Sequence, residues 1–185
     1  MGPFDVGELR FHATRNAQYH IGRRRVLERY NRYANAATIL LGTAIVADVA
    51  SKIAIDTIWI GAAASCVGVA QLVFDFAGRA RTHELLQRRY YDLIAAMGRT
   101  VEPGEADIAK WTGDLAQIYG DEPPTDPIAD AIAYNEAGHA LGMGAGDTLV
   151  IPMYVRLLNL IGLASGHRFV SRGEQVAPHS AADAG

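Results

Sequence analysis

The sequence predicts an all-α integral membrane protein, a hairpin of two membrane-spanning helices with long cytoplasmic helical stalks and a short-helix cytoplasmic cap. Three observations predict this fold class. Half of the 185 residues are hydrophobic, and they concentrate in two stretches, residues 34–50 and 58–77. Arginines flank both stretches, and no proline occurs between residues 9 and 50. The chain therefore has the apolar length, the charge pattern and the helical continuity of a membrane hairpin.

The two apolar stretches are the predicted spans. They read ANAATILLGTAIVADVA and IWIGAAASCVGVAQLVFDFA, close to the ~20 residues that a helix needs to cross a bilayer. The alternative is a helical hairpin in the core of a soluble protein. Core helices of this length normally keep a polar face, so we favour the membrane.

Positive charge predicts the topology. Ten arginines lie within residues 15–32 and 79–89 on the outer flanks of the two spans, whereas the connecting loop carries only Lys52. Lysine and arginine favour the cytoplasmic side, so both termini are expected in the cytoplasm. Trp59 would then lie near the outer interface. The arginines expected to contact anionic lipid headgroups are Arg23, Arg24, Arg25, Arg29 and Arg81.

The segment GRRR at residues 22–25 has an alternative interpretation as a nucleic-acid contact. Arginines beside an apolar span are already explained by anionic lipid, where each contributes about 1 kcal/mol. We therefore expect membrane lipids as partners and no nucleic acid.

Helical stalks are predicted on the cytoplasmic side of both spans, so that residues 9–99 form one two-span unit. One continuous helix is expected from Leu9 to Ala50. The apolar positions that recur at steps of three and four are Val26, Tyr30, Tyr33, Ala37 and Leu40 before the first span, and Leu86, Tyr90, Leu93 and Met97 after the second. Such spacing is typical of helices that pack on each other as a coiled coil.

Residues 104–142 are predicted to form an acidic helical cap. Residues 101–147 carry ten acidic groups and one basic group. One helix is expected over 105–119, with Ile108, Trp111, Leu115 and Ile118 on one side. A second is expected from Asp126, a good N-cap before Pro127, to Leu141. Because an anionic leaflet would repel this cap, we expect it to fold back on the arginine-rich stalks and complete a four-helix bundle.

The C-terminal part contains two further predicted segments. Residues 150–164 include IPMYVRLLNLIGL, an amphipathic helix expected either at the membrane surface or packed against the bundle. Residues 173–185 are small and polar and are expected to be disordered.

One face of the second span collects small and polar residues. At a helical period, it contains Gly61, Ala64, Ser65, Gly68, Gln71 and Asp75. Small residues let helices approach closely, and polar residues in a span face protein or water. This face is therefore a predicted pore or oligomer face. Asp75 has two open interpretations, an ion pair with Arg79 or Arg32 and a direct role in conduction.

The sequence lacks the residue sets that the common catalytic and metal sites need. Glu136 and His139 form one Glu-x-x-His pair, with Glu122 and His83 as further candidates, whereas a di-iron bundle needs two such pairs and two more glutamates. The single cysteine, Cys66, leaves no multi-cysteine metal site. Phosphate-binding glycine loops and Gly-x-Ser-x-Gly are also missing. We expect no catalytic residues, no metal and no cofactor.

Three stretches resemble the SLATT domain family, the SMODS and SLOG associating two-transmembrane effector domains of bacterial conflict systems. They are RNAQYHIGRRRVLERYNRYANAATILLGTA, LVFDFAGRARTHELLQRRYYDLIAAM and DEPPTDPIADAIAYNEAGHALG. The cap motif in the last stretch consists of Asp121, Glu122, Pro123, Pro124 and Asn135. The resemblance implies a bacterial inner-membrane effector that forms a pore or damages the membrane when a partner signals nucleotide or phage stress. We expect no sensor domain fused to this chain, so the resemblance implies a separate sensor protein or a nucleotide signal as the trigger.

Two function classes remain open at this point. The first is a homo-oligomeric membrane effector that permeabilises or depolarises the membrane. The second is a membrane-anchored scaffold or receptor whose cap recruits a soluble partner. A small polar face serves a helix interface as well as a pore, so the sequence does not separate them.

Overall fold

The computed structural model describes residues 5–52, 56–155, 169 and 171, which are helical throughout apart from short connections. The α-helices are α1 (Val6–Leu41), α2 (Ala44–Lys52), α3 (Thr57–Phe74), α4 (Phe76–Arg99), α5 (Glu105–Gly120) and α6 (Pro127–Ala140). A short 3-10 helix covers Ala145–Asp147, and one isolated antiparallel bridge joins Leu149 to Ser171. The predicted all-α class is confirmed for the described residues.

The chain divides into two compact units. The bundle unit comprises Met1–Gly22 and Leu85–Gly185, and the apolar unit comprises Arg23–Glu84. Helices α1 and α4 each contribute to both units because the boundaries fall inside them.

The bundle unit has a core built by α1, α4 and α5. Its buried side chains are Leu9, Ala13, Ala17, Leu86, Tyr90, Leu93, Met97, Trp111, Leu115 and Ile118. The predicted apolar positions of α4 and of α5 are therefore confirmed as core positions, except that Ile108 is partly buried and packs against this core. Successive positions in each helix are three or four residues apart, so they lie on one side of the helix. This side loses contact with water when the helices pack.

The predicted stripe of α1 is wrong at two of its five positions, whereas Val26, Tyr30 and Ala37 are half-buried. Tyr33 is 64% exposed and Leu40 60% exposed, whereas Leu27 is buried. The buried face of α1 also includes Asn16 and His20. Because these polar side chains interrupt the face, it does not stand out as an apolar stripe in the sequence.

The predicted continuous helix from Leu9 to Ala50 is also wrong. Helix α1 ends at Leu41 after 36 residues, about 54 Å at the standard rise. The Gly42 N–H donates to the carbonyls of Thr38 and Ile39 at 3.1 and 3.2 Å, which closes the last turn. Glycine has a low helix propensity, and α2 begins only at Ala44.

Helix α6 begins and ends with the predicted signals. The Asp126 carboxylate accepts hydrogen bonds from the backbone N–H groups of Ile128 and Ala129 at 3.0 and 3.1 Å, and Pro127 occupies the first helical turn. The helix stops before Gly142, whose φ of 78° is a left-handed value that glycine adopts without strain.

A second, smaller apolar cluster lies beside α6. Ile128 and Val155 are its fully buried residues. Of the predicted C-terminal segment, only residues 150–155 fall within the described chain, with Val155 buried and Met153 and Tyr154 exposed. Its remainder to residue 164, like the predicted tail 173–185, lies outside the described residues.

Candidate functional site

Helix α3 has no buried residue although it is the most apolar helix of the chain. No charged residue occurs between Thr57 and Phe74. Ile58 and Trp59 are each 69% exposed and Leu72 is 82% exposed. The stretch Thr57–Arg99 is long and apolar enough, by length and composition, to cross a membrane, and it is the one such stretch in the described chain.

A polar cluster joins the end of α1 to α3 within the apolar unit. The Gln71 side-chain amide donates to the Asn35 carbonyl oxygen at 2.7 Å. Its own Oε1 accepts from the Thr38 hydroxyl at 3.2 Å, and Thr38 also bonds the Ala34 carbonyl. Gln71, predicted on the polar face, therefore contacts another helix of the same chain.

Asp75 separates α3 from α4. Its backbone is left-handed, with φ 41° and ψ 54°, which a non-glycine residue rarely adopts and which asparagine and aspartate tolerate best. Its carboxylate accepts a hydrogen bond from the Gly78 N–H at 3.1 Å, as an N-cap side chain does. A Cβ at position 78 would overlap this carboxylate. Asp75 and Gly78 thus end one helix and begin the next.

The ion-pair candidates form no pair between their side chains in the described residues. Asp75, Arg32 and Arg79 are all exposed. No ion pair joins Asp75 to either arginine in the part of the chain that the structure describes. The Arg79 backbone N–H donates to the Asp75 carbonyl at 3.0 Å, so the two residues are one helical turn apart. The Asp75 carboxylate nevertheless accepts from the Gly78 N–H in the first turn of α4.

The remaining residues of the predicted pore or oligomer face divide into two groups. Gly61, Ser65 and Gly68 are exposed, and Cβ atoms added at the two glycines would meet open space. Ala64 and Gln71 are half-buried, as is Val67. The side of α3 turned to its own chain therefore includes Ala64 and Gln71, and the small exposed side remains a predicted contact for another copy.

The predicted lipid-facing arginines differ in exposure. Arg25, Arg29 and Arg81 are exposed, whereas Arg23 and Arg24 are half-buried. The Arg24 Nε lies 3.1 Å from Glu28 Oε1, one turn along α1. A pair this exposed contributes only a few tenths of a kcal/mol.

The cap motif contributes to a buried polar cluster in the bundle unit. Glu122 Oε1 accepts a short hydrogen bond from the Tyr90 hydroxyl and lies 3.0 Å from His20 Nε2. The Asn16 amide donates to the same hydroxyl at 3.1 Å, and the His20 and Tyr90 rings stack at 5.6 Å. We call Asn16, His20, Tyr90 and Glu122 the Glu122 cluster.

Burial changes the acidity of the tyrosines near this cluster. Burial, together with the hydrogen bond to Glu122, raises the pKa of Tyr90 above its ordinary value. Burial likewise raises the pKa of Tyr119. Both effects have the same cause, because the phenolate form would lose its hydration and face a carboxylate.

A cavity of about 420 Å³ opens beside the Glu122 cluster. It is lined by Arg15, Asn16, Tyr19, Tyr119, Glu122, Pro123, Pro124, Thr125 and Asp130. Three of the five cap-motif residues are therefore wall residues of one cavity. Of the other two, Asp121 pairs with Arg89. Asn135 bonds the Leu149 backbone twice, at 2.7 and 2.9 Å.

The acidic segment is held to the other helices by two ion pairs. Asp130 on α6 receives two hydrogen bonds from Arg15 on α1, and Asp121 pairs with Arg89 on α4. The backbone N–H of Asp126 also donates to the Tyr19 hydroxyl at 3.0 Å. Opposite charges on these segments therefore meet inside the bundle unit.

Asn16, His20 and Tyr90 are site residues that the sequence reasoning did not identify. Tyr90 was assigned to the apolar stripe, and nothing local marks Asn16 or His20 as neighbours of Glu122, which lies about a hundred residues away. The available signal was the spacing of Asn16 and His20, four residues apart on one face of α1.

Comparison of this chain with protein-family models, with curated proteins and with solved structures finds no match.

Proposed function

We propose that the chain is a non-enzymatic membrane effector with two spans. It acts as a homo-oligomer that permeabilises or depolarises the bacterial inner membrane when a partner or ligand triggers it, in antiphage or conflict defence. The observation that carries the proposal is α3, a long apolar helix without a buried residue or a charge. In water such a helix would expose a continuous apolar surface, whereas in a bilayer its backbone is satisfied internally and its side chains contact lipid.

The first span is proposed from the contacts of α1 and α2. Gln71 on α3 is bonded to Asn35 and Thr38 near the end of α1, and α2 contacts α3. Residues 34–52 therefore contact α3 both through the end of α1 and through α2. Hydrogen bonds between polar side chains of two spans stabilise their association by roughly 0.6–2 kcal/mol in membranes.

Association with other copies is proposed through the exposed side of α3 that contains Gly61, Ser65 and Gly68. The Ser65 hydroxyl is bonded to the Gly61 carbonyl at 2.9 Å, so this side presents no unsatisfied donor to lipid. Glycine and serine allow two helix backbones to approach closely. The resemblance to the SLATT family supports the defence role.

The second candidate function is a membrane-anchored scaffold or receptor. The cavity next to the Glu122 cluster favours it, because a recruiting domain needs a shaped polar surface away from the spans. In this alternative the membrane segment is only an anchor and no current flows.

To test the proposal, the membrane potential of bacterial cells is measured during controlled expression of the chain. We expect depolarisation by the native chain, because associated spans admit ions. The double variant Gly61→Leu and Gly68→Leu should lose both depolarisation and self-association in neutral detergent. The matched control is Ala62→Leu, which adds the same side chain a quarter turn away on another exposed side.

Two outcomes contradict the effector proposal. One is a native chain that reaches the membrane and self-associates but leaves the potential unchanged under phage challenge, which favours the scaffold. The other is equal depolarisation by the double glycine variant and by the native chain. This result would mean that the copies do not associate through the side of α3 that contains Gly61 and Gly68.

A further inference from the structure

The cavity beside the Glu122 cluster has the size and the walls of a small-molecule site. Its volume of about 420 Å³ lies within the usual range of roughly 300–1,000 Å³ for ligand pockets. It lies wholly within the bundle unit, between α1, the segment after α5 and the start of α6. Its chemistry can therefore be analysed independently of any membrane activity.

The charge of the cavity is dominated by Glu122. Arg15 and Asp130, which also line it, neutralise each other, since Nε of Arg15 donates to Oδ1 of Asp130 at 2.8 Å and its Nη2 donates to Oδ2. A second arginine or a lysine is not among the lining residues. The wall therefore holds one carboxylate that no cationic wall residue neutralises.

Glu122 uses only one of its two oxygens for the protein. Oε1 contacts both the Tyr90 hydroxyl and His20 Nε2, and within the described residues Oε2 has no donor. The side chain is 13% exposed. Oε2 is not among the buried side-chain atoms that lack a partner, so a ligand N–H can reach it and donate a charge-assisted hydrogen bond.

Two tyrosines and two prolines supply the flat, partly apolar part of the wall. The rings of Tyr19 and Tyr119 and the prolines Pro123 and Pro124 line the space around Glu122. Aromatic faces attract cations within about 6 Å of the ring centre, and proline side chains lose no rotamer freedom on contact. An anion would instead meet the Glu122 carboxylate at close range.

We propose that this cavity binds a small organic cation, an amine or guanidinium compound, whose N–H groups donate to Glu122 Oε2 and whose alkyl part lies between the tyrosines and prolines. His20 and Tyr90, which both contact Oε1, hold the carboxylate in place. The proposal goes beyond the membrane activity and does not depend on it.

The test is calorimetric titration of the full chain in neutral detergent with n-butylammonium chloride and, as the matched anion, sodium butyrate. We expect saturable binding of the ammonium and none of the butyrate at the same concentrations. Glu122→Gln should weaken ammonium binding by at least about tenfold, the loss of one charge-assisted hydrogen bond. The control Glu102→Gln, at an exposed glutamate outside the cavity, should bind like the native chain.

A second variant tests the location without disturbing the cluster. Thr125 is exposed and lies on the cavity wall, so Thr125→Trp should fill the entrance while leaving the melting temperature unchanged. We expect it to abolish ammonium binding. The proposal is overturned if folded Thr125→Trp binds ammonium like the native chain. It is also overturned if the native chain binds butyrate as well as ammonium, or if it shows no saturable binding of ammonium.

Discussion

Helices α5 and α3 have similar lengths and opposite surroundings. Helix α5, of 16 residues, buries Trp111, Leu115 and Ile118. Helix α3, of 18 residues, buries none. Charged residues occupy the exposed side of α5, at Glu105 and Lys110, whereas α3 has no charged residue on any side. A one-sided apolar stripe predicts a neighbour in the same chain, and an all-round apolar helix predicts a surrounding that the chain does not supply.

The two tryptophans provide the largest expected difference between these helices. Trp111 is 3% exposed in the bundle core and Trp59 is 69% exposed on α3. Trp111→Ala should lower the free energy of unfolding of the bundle unit by about 3–5 kcal/mol, since it leaves a large cavity. Trp59→Ala should change it by less than about 0.5 kcal/mol. Denaturant titration in detergent, followed by circular dichroism, measures both free-energy changes. Equal losses would mean that Trp59 is packed as tightly as Trp111.

The Glu122 cluster gives the next largest effect. Tyr90→Phe removes the hydroxyl that donates to Glu122 and accepts from Asn16. We expect a loss of about 1–3 kcal/mol, because two buried polar groups lose a partner. The neighbouring Tyr91 is 42% exposed, so Tyr91→Phe is the matched control and should be neutral within about 0.5 kcal/mol. Equal effects of the two changes would mean that the cluster does not stabilise the bundle.

A smaller effect should appear with pH. Tyr90 and Tyr119 have pKa values raised above 10.0 in the folded chain, so the folded state keeps protons that the unfolded state releases. The stability is fully present below about pH 10 and falls as pH rises beyond it, by up to about 1.4 kcal/mol per pH unit for Tyr90. Tyr119 is 42% exposed, so solvent screening makes its contribution smaller. Denaturation at pH 9 and pH 11 measures the fall, which Tyr90→Phe should reduce. An unchanged slope in that variant would exclude Tyr90 as its source.

Local signals in the sequence predicted what depends on neighbours within a few residues. The Asp126 cap, the ends of α5 and α6 and the stripes of α4 and α5 are of this kind, because helix start signals and periodicity are short-range. The two helix breaks were missed although each has a local cause. Gly42 was tolerated in the predicted helix, and Asp75 was treated as a helical residue because aspartate rarely takes a left-handed conformation.

The Glu122 cluster could not be predicted in the same way. It joins α1, α4 and the segment after α5, and His20 and Glu122 are 102 positions apart in the sequence. No periodicity connects residues so far apart, and Tyr90 was already explained by the apolar stripe. The face of α3 was ambiguous for a different reason. Small and polar residues suit a contact within the chain, as at Gln71, and a contact with another copy equally well.

The central proposal is that α3 contacts lipid, whereas the apolar side of α5 packs against protein. Quenching of tryptophan fluorescence by brominated lipids tests it most directly in vesicles holding the full chain. The variant Trp111→Phe leaves Trp59 as the single tryptophan, and Trp59→Phe leaves Trp111. We expect strong quenching of Trp59 fluorescence and little quenching of Trp111 fluorescence. Weak quenching of both, in chains that remain bound to the vesicles, would contradict it.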